Sequence, residues 1–249
     1  MGPVLHGNLH PSYYELTHPE DNMTSQEFAQ QLDMRVAKYD LLCHPFYKAW
    51  SEGKLTPSDL REYAHQYYHQ VDAFPAYLDE FAARLPHGHL RQAVLATRDE
   101  ESGADGSRPH AELWLDFAEG MGGSRNVDAP PLAAVKNLIS HFHDVAREGA
   151  PEEALAAFYA YESQVPRVAA EKARGLREIY GADERTYGYF TVHTTADVYH
   201  SNVWRNQLER IVEDNPVAEQ HALAAAEKAA QALWNALDGI EAMRTSRAA

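Results

Sequence analysis

His193-Thr-Thr-Ala-Asp197-Val-Tyr-His200 sets two imidazoles and a carboxylate within eight residues. On a continuous helix, positions three and four apart share a face, so all three side chains reach a common point. Nitrogen and oxygen donors grouped in this way suit redox-active iron or manganese with coordination positions left open for oxygen. A chain with 14 histidines also reaches such spacing on a polar, solvated face, so further ligands have to come from facing helices. Glu162 stands in the apolar, aromatic turn Phe158-Tyr-Ala-Tyr-Glu162, where an unpaired carboxylate is costly to bury. Its partner is a metal ion or, alternatively, an Arg or His. Glu100 and Glu101 close one helix, and His110 opens the next after an eight-residue loop. A carboxylate and an imidazole can converge there, or the two glutamates are plain exposed helix ends.

The elements that must position these residues read as helices almost throughout. Thr24-Ser-Gln-Glu27 is a capping box opening a helix to about Leu42. His44 to Trp50 is a short aromatic segment stopped near Gly53. Thr56-Pro57-Ser58-Asp59 starts a helix whose ridge is Tyr63, Tyr67, Phe74, Tyr77, Leu78 and Phe81. Further helices run over about His89 to Glu101, His110 to Gly120, and from Pro130-Pro131 to Glu148. A long one from Pro151 to Tyr180 carries Glu162 and Lys172, another from Glu184 to Asp214 carries the opening motif, and a last one follows Pro216 to about Met243. With no alternating β-branched runs and no hairpin turns, the expectation is an all-α, single domain of seven or eight helices over residues 23–249. Residues 1–22 read as a loosely ordered N-terminal extension.

Composition narrows the function. A formal net charge of −15 argues against nucleic acid as a partner, because phosphates need a basic surface. No apolar stretch is long enough for a membrane span, and Met1 to Asn22 resembles neither a signal nor a transit peptide. The single cysteine, Cys43, excludes an internal disulfide and fits a reducing cytosol, so a cytoplasmic protein is expected. Helical proteins of this size often pair, which makes a homodimer the preferred assembly.

The order Glu, Gly-containing loop, His, then Tyr-Glu, then His-x-x-x-Asp-x-x-His resembles the ligand pattern of the haem-oxygenase-like dinuclear-metal oxidases, over roughly Thr24 to Pro216. The resemblance implies a haem-oxygenase-like bundle and six ligands: Glu101, His110, Glu162, His193, Asp197 and His200. Glu100 is the alternative first ligand; Glu101 is preferred because it stands directly before Ser102-Gly103. One branch is more similar still, that of the chlamydial protein associating with death domains, related to the pyrroloquinoline-quinone biosynthesis protein C. The shared stretches are His44-Pro-Phe-Tyr47-Lys-Ala-Trp50-Ser-Glu-Gly53, Phe74-Pro-Ala-Tyr77-Leu and Trp114-x-x-Phe-Ala-Glu-Gly120. That branch implies an oxidoreductase making para-aminobenzoate for folate from a tyrosine of its own chain. Tyr47 then corresponds to the consumed tyrosine, Lys172 to the amino donor and Tyr63 to a second tyrosine that relays a radical; Tyr161 adjoins the ligand Glu162. The implied cofactors are two metal ions (Fe/Fe or Fe/Mn), molecular oxygen and a reductant from an external electron donor.

The residues themselves leave alternatives open. In a straight helix Lys172 lies about 15 Å along the axis from Glu162 and roughly 80° off in direction, too far to be a ligand. Pro166 should kink that helix, while charged Glu171, Arg174 and Arg177 make Lys172 look like a surface lysine. Tyr47 also reads as an aromatic packed at the bundle rim. Competing functions are an oxidase of the same fold acting on a free small molecule, a metal-free cofactor-biosynthesis protein, and a partner-binding module.

Overall fold

The computed structural model describes residues 23–248, and the extension expected at residues 1–22 lies outside them. The described residues form eleven α-helices and one 3-10 turn. Helix α1 (Ser25–Ala37) is held at its start by reciprocal bonds between Thr24 and Glu27. It stops short of Leu42, because a separate 3-10 turn (Leu41–Cys43) forms under an Asp40 cap. Helix α2 (Pro45–Ser51) is capped by the buried His44 ring, whose Nδ1 accepts from the Phe46 amide at 3.1 Å. Helix α3 (Pro57–Arg84) begins with the Thr56–Asp59 capping box and Pro57 in its first turn. Then follow α4 (His89–Ser102), α5 (His110–Gly120), α6 (Ala133–Glu148), α7 (Pro151–Glu162), α8 (Val165–Glu178), α9 (Glu184–His193), α10 (Ala196–Asp214) and α11 (Val217–Ala248).

The count exceeds seven or eight because two expected long helices are each broken once, and the short aromatic segment is a helix in its own right. Between α7 and α8 the ladder fails at Ser163 and Gln164. Pro166 has no N–H to give the Glu162 carbonyl, and its ring would collide with that group. The Gln164 amide turns instead to Tyr161 O at 3.3 Å, and the Gln164 side chain caps Ala160 O and the Leu41 amide. Between α9 and α10 the cause is threonine chemistry. The hydroxyls of Thr194 and Thr195 bond back to the carbonyls of Thr191 and Val192, and their amides tighten onto the same two carbonyls. Such back-bonding competes with the regular ladder.

Helix α7 is buried on every side from Ala154 to Glu162, as befits a helix that is apolar all round. It packs chiefly against α10 and α11, and the alanines of α7 and α11 allow close approach. The aromatic ridge of α3 faces this core: Tyr63, Tyr77 and Phe81 are fully buried, each contributing roughly 1.5–3 kcal/mol by burial. Among the described residues, no helix is long and apolar enough to cross a membrane.

Candidate metal centre and the adjoining aromatic chamber

Five helices bring six donor side chains together. Glu101 ends α4 and is turned inward, because the chain reverses at Gly103 (φ 72), a conformation that suits glycine. His110 opens α5 across the loop, with its Nδ1 2.8 Å from a Glu101 oxygen. Glu162 comes from the end of α7, His193 from the end of α9, and Asp197 and His200 from the first turns of α10. All six are buried. They fall into two groups whose donor atoms lie within 4.8 Å of one another: Glu101, His110 and His193 in one, and Glu101, Glu162, Asp197 and His200 in the other. The expectation of three ligands on one continuous helix face is therefore corrected. The Thr194–Thr195 break sends His193 to one group and Asp197 with His200 to the other.

The donor atoms are presented without partners of their own. Glu162 Oε1, Asp197 Oδ1 and His200 Nδ1 are buried and make no hydrogen bond. His200 Nδ1 stands 3.4 Å from Glu162 Oε1 and 3.5 Å from Asp197 Oδ1, close enough for a shared cation and too loose for a strong bond. Buried polar atoms are otherwise almost always paired, so this donor set fits a metal pair well. The outer atoms are held: Trp204 donates to Glu162 Oε2, and His193 Nδ1 meets Tyr189 O at 2.7 Å. The latter bond leaves the other His193 nitrogen free for the cluster.

Protonation follows the same crowding. Burial, with Glu162 and Glu101 nearby, pushes the Asp197 carboxyl up to about 8, and burial likewise raises Glu162. Burial and the neighbouring His110 bring His193 down to about 4. For His200, burial acts downward, but the surrounding Asp197, Glu162 and Glu100 carboxylates outweigh it and carry the imidazole up to about 12.

Tyr161 and Tyr189 separate this centre from a second chamber, and their side chains line both. The second chamber, about 20 Å³ in volume, is lined by Tyr47, Tyr67, Trp114, Lys172 and Phe190 among others. Lys172 is buried, 5% exposed, which corrects the surface reading suggested by its charged neighbours. The α7–α8 break turns it inward. Its Nζ donates to the Tyr63 hydroxyl at 2.5 Å, and the Tyr63 and Tyr47 hydroxyls are 3.0 Å apart. Nζ also lies 4.6 Å from the centre of the Tyr47 ring. Desolvation holds the Lys172 amine well below the usual lysine range, which favours its uncharged form. Burial raises the Tyr47 and Tyr63 phenols well above theirs. Tyr47 is 3% exposed and sits in the core, not at the rim.

The structure thus gathers all ten singled-out residues into two adjoining groups. Glu100 is the exception: its side chain is 42% exposed and its carboxylate contacts the outer nitrogen of His200. Tyr67, Tyr189 and Trp204 escaped the sequence reading. Each lies four residues from a recognised position (Tyr63, His193 and His200), which places it on the same helix face.

A model of a family described as "iron-containing redox enzyme" matches residues 61–234. A 4-aminobenzoate synthase of Nitrosomonas europaea is 39% identical over 230 residues, covering 88% of this chain and 92% of its own. One from Chlamydia pneumoniae is 36% identical, covering 88% and 96%. A pyrroloquinoline-quinone synthase of Gluconobacter oxydans is 25% identical, covering 80% and 84%. Among solved structures, a TenA homologue from Pseudomonas syringae superposes with a TM-score of 0.73 at 15% identity, covering 88% of this chain and 95% of its own. A domain with a haem-oxygenase-like fold from Shewanella denitrificans gives 0.70 at 18%, covering 88% and 90%. These last two establish the fold as haem-oxygenase-like and all-α.

Proposed function

The chain belongs to the iron-containing redox enzyme family, and from that premise we propose that it makes 4-aminobenzoate from its own Tyr47, with Lys172 supplying the amino nitrogen. The observation that carries this is the contact chain Lys172–Tyr63–Tyr47 beside a small chamber of about 20 Å³. That volume takes about one water-sized molecule, whereas pockets for small organic substrates run to roughly 300–1,000 Å³. An added amino acid or fatty acid has no room beside Lys172, so the aromatic ring within reach of the amine is the protein's own. Two relatives bearing the name 4-aminobenzoate synthase support the product named in this reading.

The atoms match in type. 4-Aminobenzoate carries its carboxyl para to its amine, as tyrosine carries Cβ para to its hydroxyl. In the proposed conversion the Tyr47 Cα–Cβ bond breaks and Cβ is oxidised to the carboxyl carbon. The Lys172 nitrogen replaces the phenol oxygen, which leaves as water, and the Cε–Nζ bond breaks as Cε is oxidised to an aldehyde; molecular oxygen is the oxidant for both carbons. Tyr63 accepts from Lys172 and can donate to Tyr47, so one phenol holds amine and ring together. Tyr161 and Tyr189 form the shared wall through which an oxidising equivalent passes toward Tyr47.

Glu101 belongs to both donor groups: one ion would be held by Glu101, His110 and His193, the other by Glu101, Glu162, Asp197 and His200. When bound, iron with iron or iron with manganese supplies the one-electron chemistry that activates molecular oxygen, with electrons from an external donor. The donor sets differ: two imidazoles stand in one and three carboxylates in the other, which favours unequal ions.

Consuming Tyr47 limits each chain to one turnover. With ferrous iron, manganese, reductant and oxygen added, 4-aminobenzoate should plateau at or below one molecule per chain, and Tyr47→Phe should give none. Many turnovers dependent on an added substrate contradict the proposal.

A further inference from the structure

We propose that Glu100 is a positioning residue for one of the two metal positions, acting through His200. This inference rests on the dinuclear reading above. Glu100 and Glu101 are neighbours at the end of α4, where successive side chains point about 100° apart. Glu101 enters the cluster, and Glu100 reaches the other side of the His200 ring. Its Oε2 lies 2.8 Å from His200 Nε2, while Nδ1 of the same ring faces Glu162 and Asp197. The ring is 0% exposed and the Glu100 side chain 42%, so a carboxylate at the surface braces an imidazole at the bottom of the site.

The chemistry of that arrangement is specific. With Nε2–H donated to Glu100, the ring is fixed in orientation and its Nδ1 is the nitrogen left to bind a cation. A carboxylate behind a metal-binding imidazole also raises its basicity. The other imidazoles of the centre do not touch Glu100: His193 is oriented by the Tyr189 carbonyl, and His110 by its contact with Glu101. Removing Glu100 should therefore weaken the Glu101–Glu162–Asp197–His200 position and spare the Glu101–His110–His193 position.

The test counts Mn²⁺ ions bound by the metal-free full chain in equilibrium dialysis, for the parent, Glu100→Ala and Glu100→Gln. The parent should bind two ions. Glu100→Ala should keep one with unchanged affinity and bind the other about 10–100-fold more weakly. Glu100→Gln retains an oxygen that accepts from Nε2–H and should lose less than the alanine variant. Thermal unfolding of the metal-free Glu100→Ala protein should match the parent within about 2 °C, because a half-exposed side chain adds little to stability. Two sites of parental affinity in Glu100→Ala overturn the role, as does equal weakening of both. Failure of the parent to bind Mn²⁺ overturns the metal-centre reading itself, and this role with it.

Discussion

Charge and lone pairs decide what the buried residues do. Asp197 is the clearest case, because its carboxyl is pushed up to about 8 by burial and by the neighbouring Glu162 and Glu101 carboxylates. A raised pKa means that the folded, metal-free protein holds a proton the unfolded chain would release. That contribution to stability is fully present below about pH 3.8 and is lost as pH rises through about 8. Comparing thermal unfolding of the metal-free parent with Asp197→Asn isolates it: the parent should lose ground to the variant steadily between about pH 5 and pH 8.5. An added metal ion replaces the proton, so Mn²⁺ should stabilise the parent increasingly over the same range. A parent-to-variant difference that stays flat with pH would show that Asp197 is already ionised. Lys172 carries the opposite logic, since desolvation favours the uncharged amine, whose nitrogen lies 4.6 Å from the centre of the Tyr47 ring.

At the level of helices, the two breaks are what join the metal centre to the aromatic chamber. The α7–α8 break swings Lys172 under Tyr63, and the α9–α10 break distributes the histidines between two donor groups. The chamber also depends on how closely α8 lies on α2. A Cβ at Gly175 would stand 2.6 Å from Trp50 Nε1, and the Trp50 ring packs edge-on against Tyr63 at 5.8 Å. Gly175→Ala should destabilise by roughly 1–3 kcal/mol, as overpacking does, and should lower the 4-aminobenzoate yield by moving Trp50 against Tyr63. Unfolding midpoints and product yields of the purified variant check both. Helix starts were legible because their signals are local: Thr24 with Glu27 and Thr56 with Asp59 cap as their spacing requires. The kink near Pro166 was legible for the same reason. The Thr194–Thr195 break was not, since threonine is tolerated within helices and only the back-bonding of its hydroxyls reveals the failure. Nor could the neighbours of Lys172 report its burial, because its partner Tyr63 is 109 residues away. The same holds for Trp204 on Glu162 and Glu100 on His200, which are contacts between helices.

For the molecule as a whole, a fold shared with distant haem-oxygenase-like structures carries chemistry that lies in a few side chains. In this chain the space beside the donor cluster is lined by its own tyrosines and one buried lysine. An enzyme built for turnover keeps a pocket open for its substrate, whereas the proposed conversion uses side chains already packed in place. The central claim is that ring and nitrogen both come from the chain. It is tested most directly by making the protein with [ε-¹⁵N]lysine, supplying ferrous iron, manganese, reductant and oxygen, and weighing the released 4-aminobenzoate and the Tyr47-containing peptide together. The account predicts ¹⁵N in the product and a peptide that has lost the Tyr47 side chain, in equal amounts. Unlabelled product, or an intact Tyr47 peptide alongside released product, would contradict it.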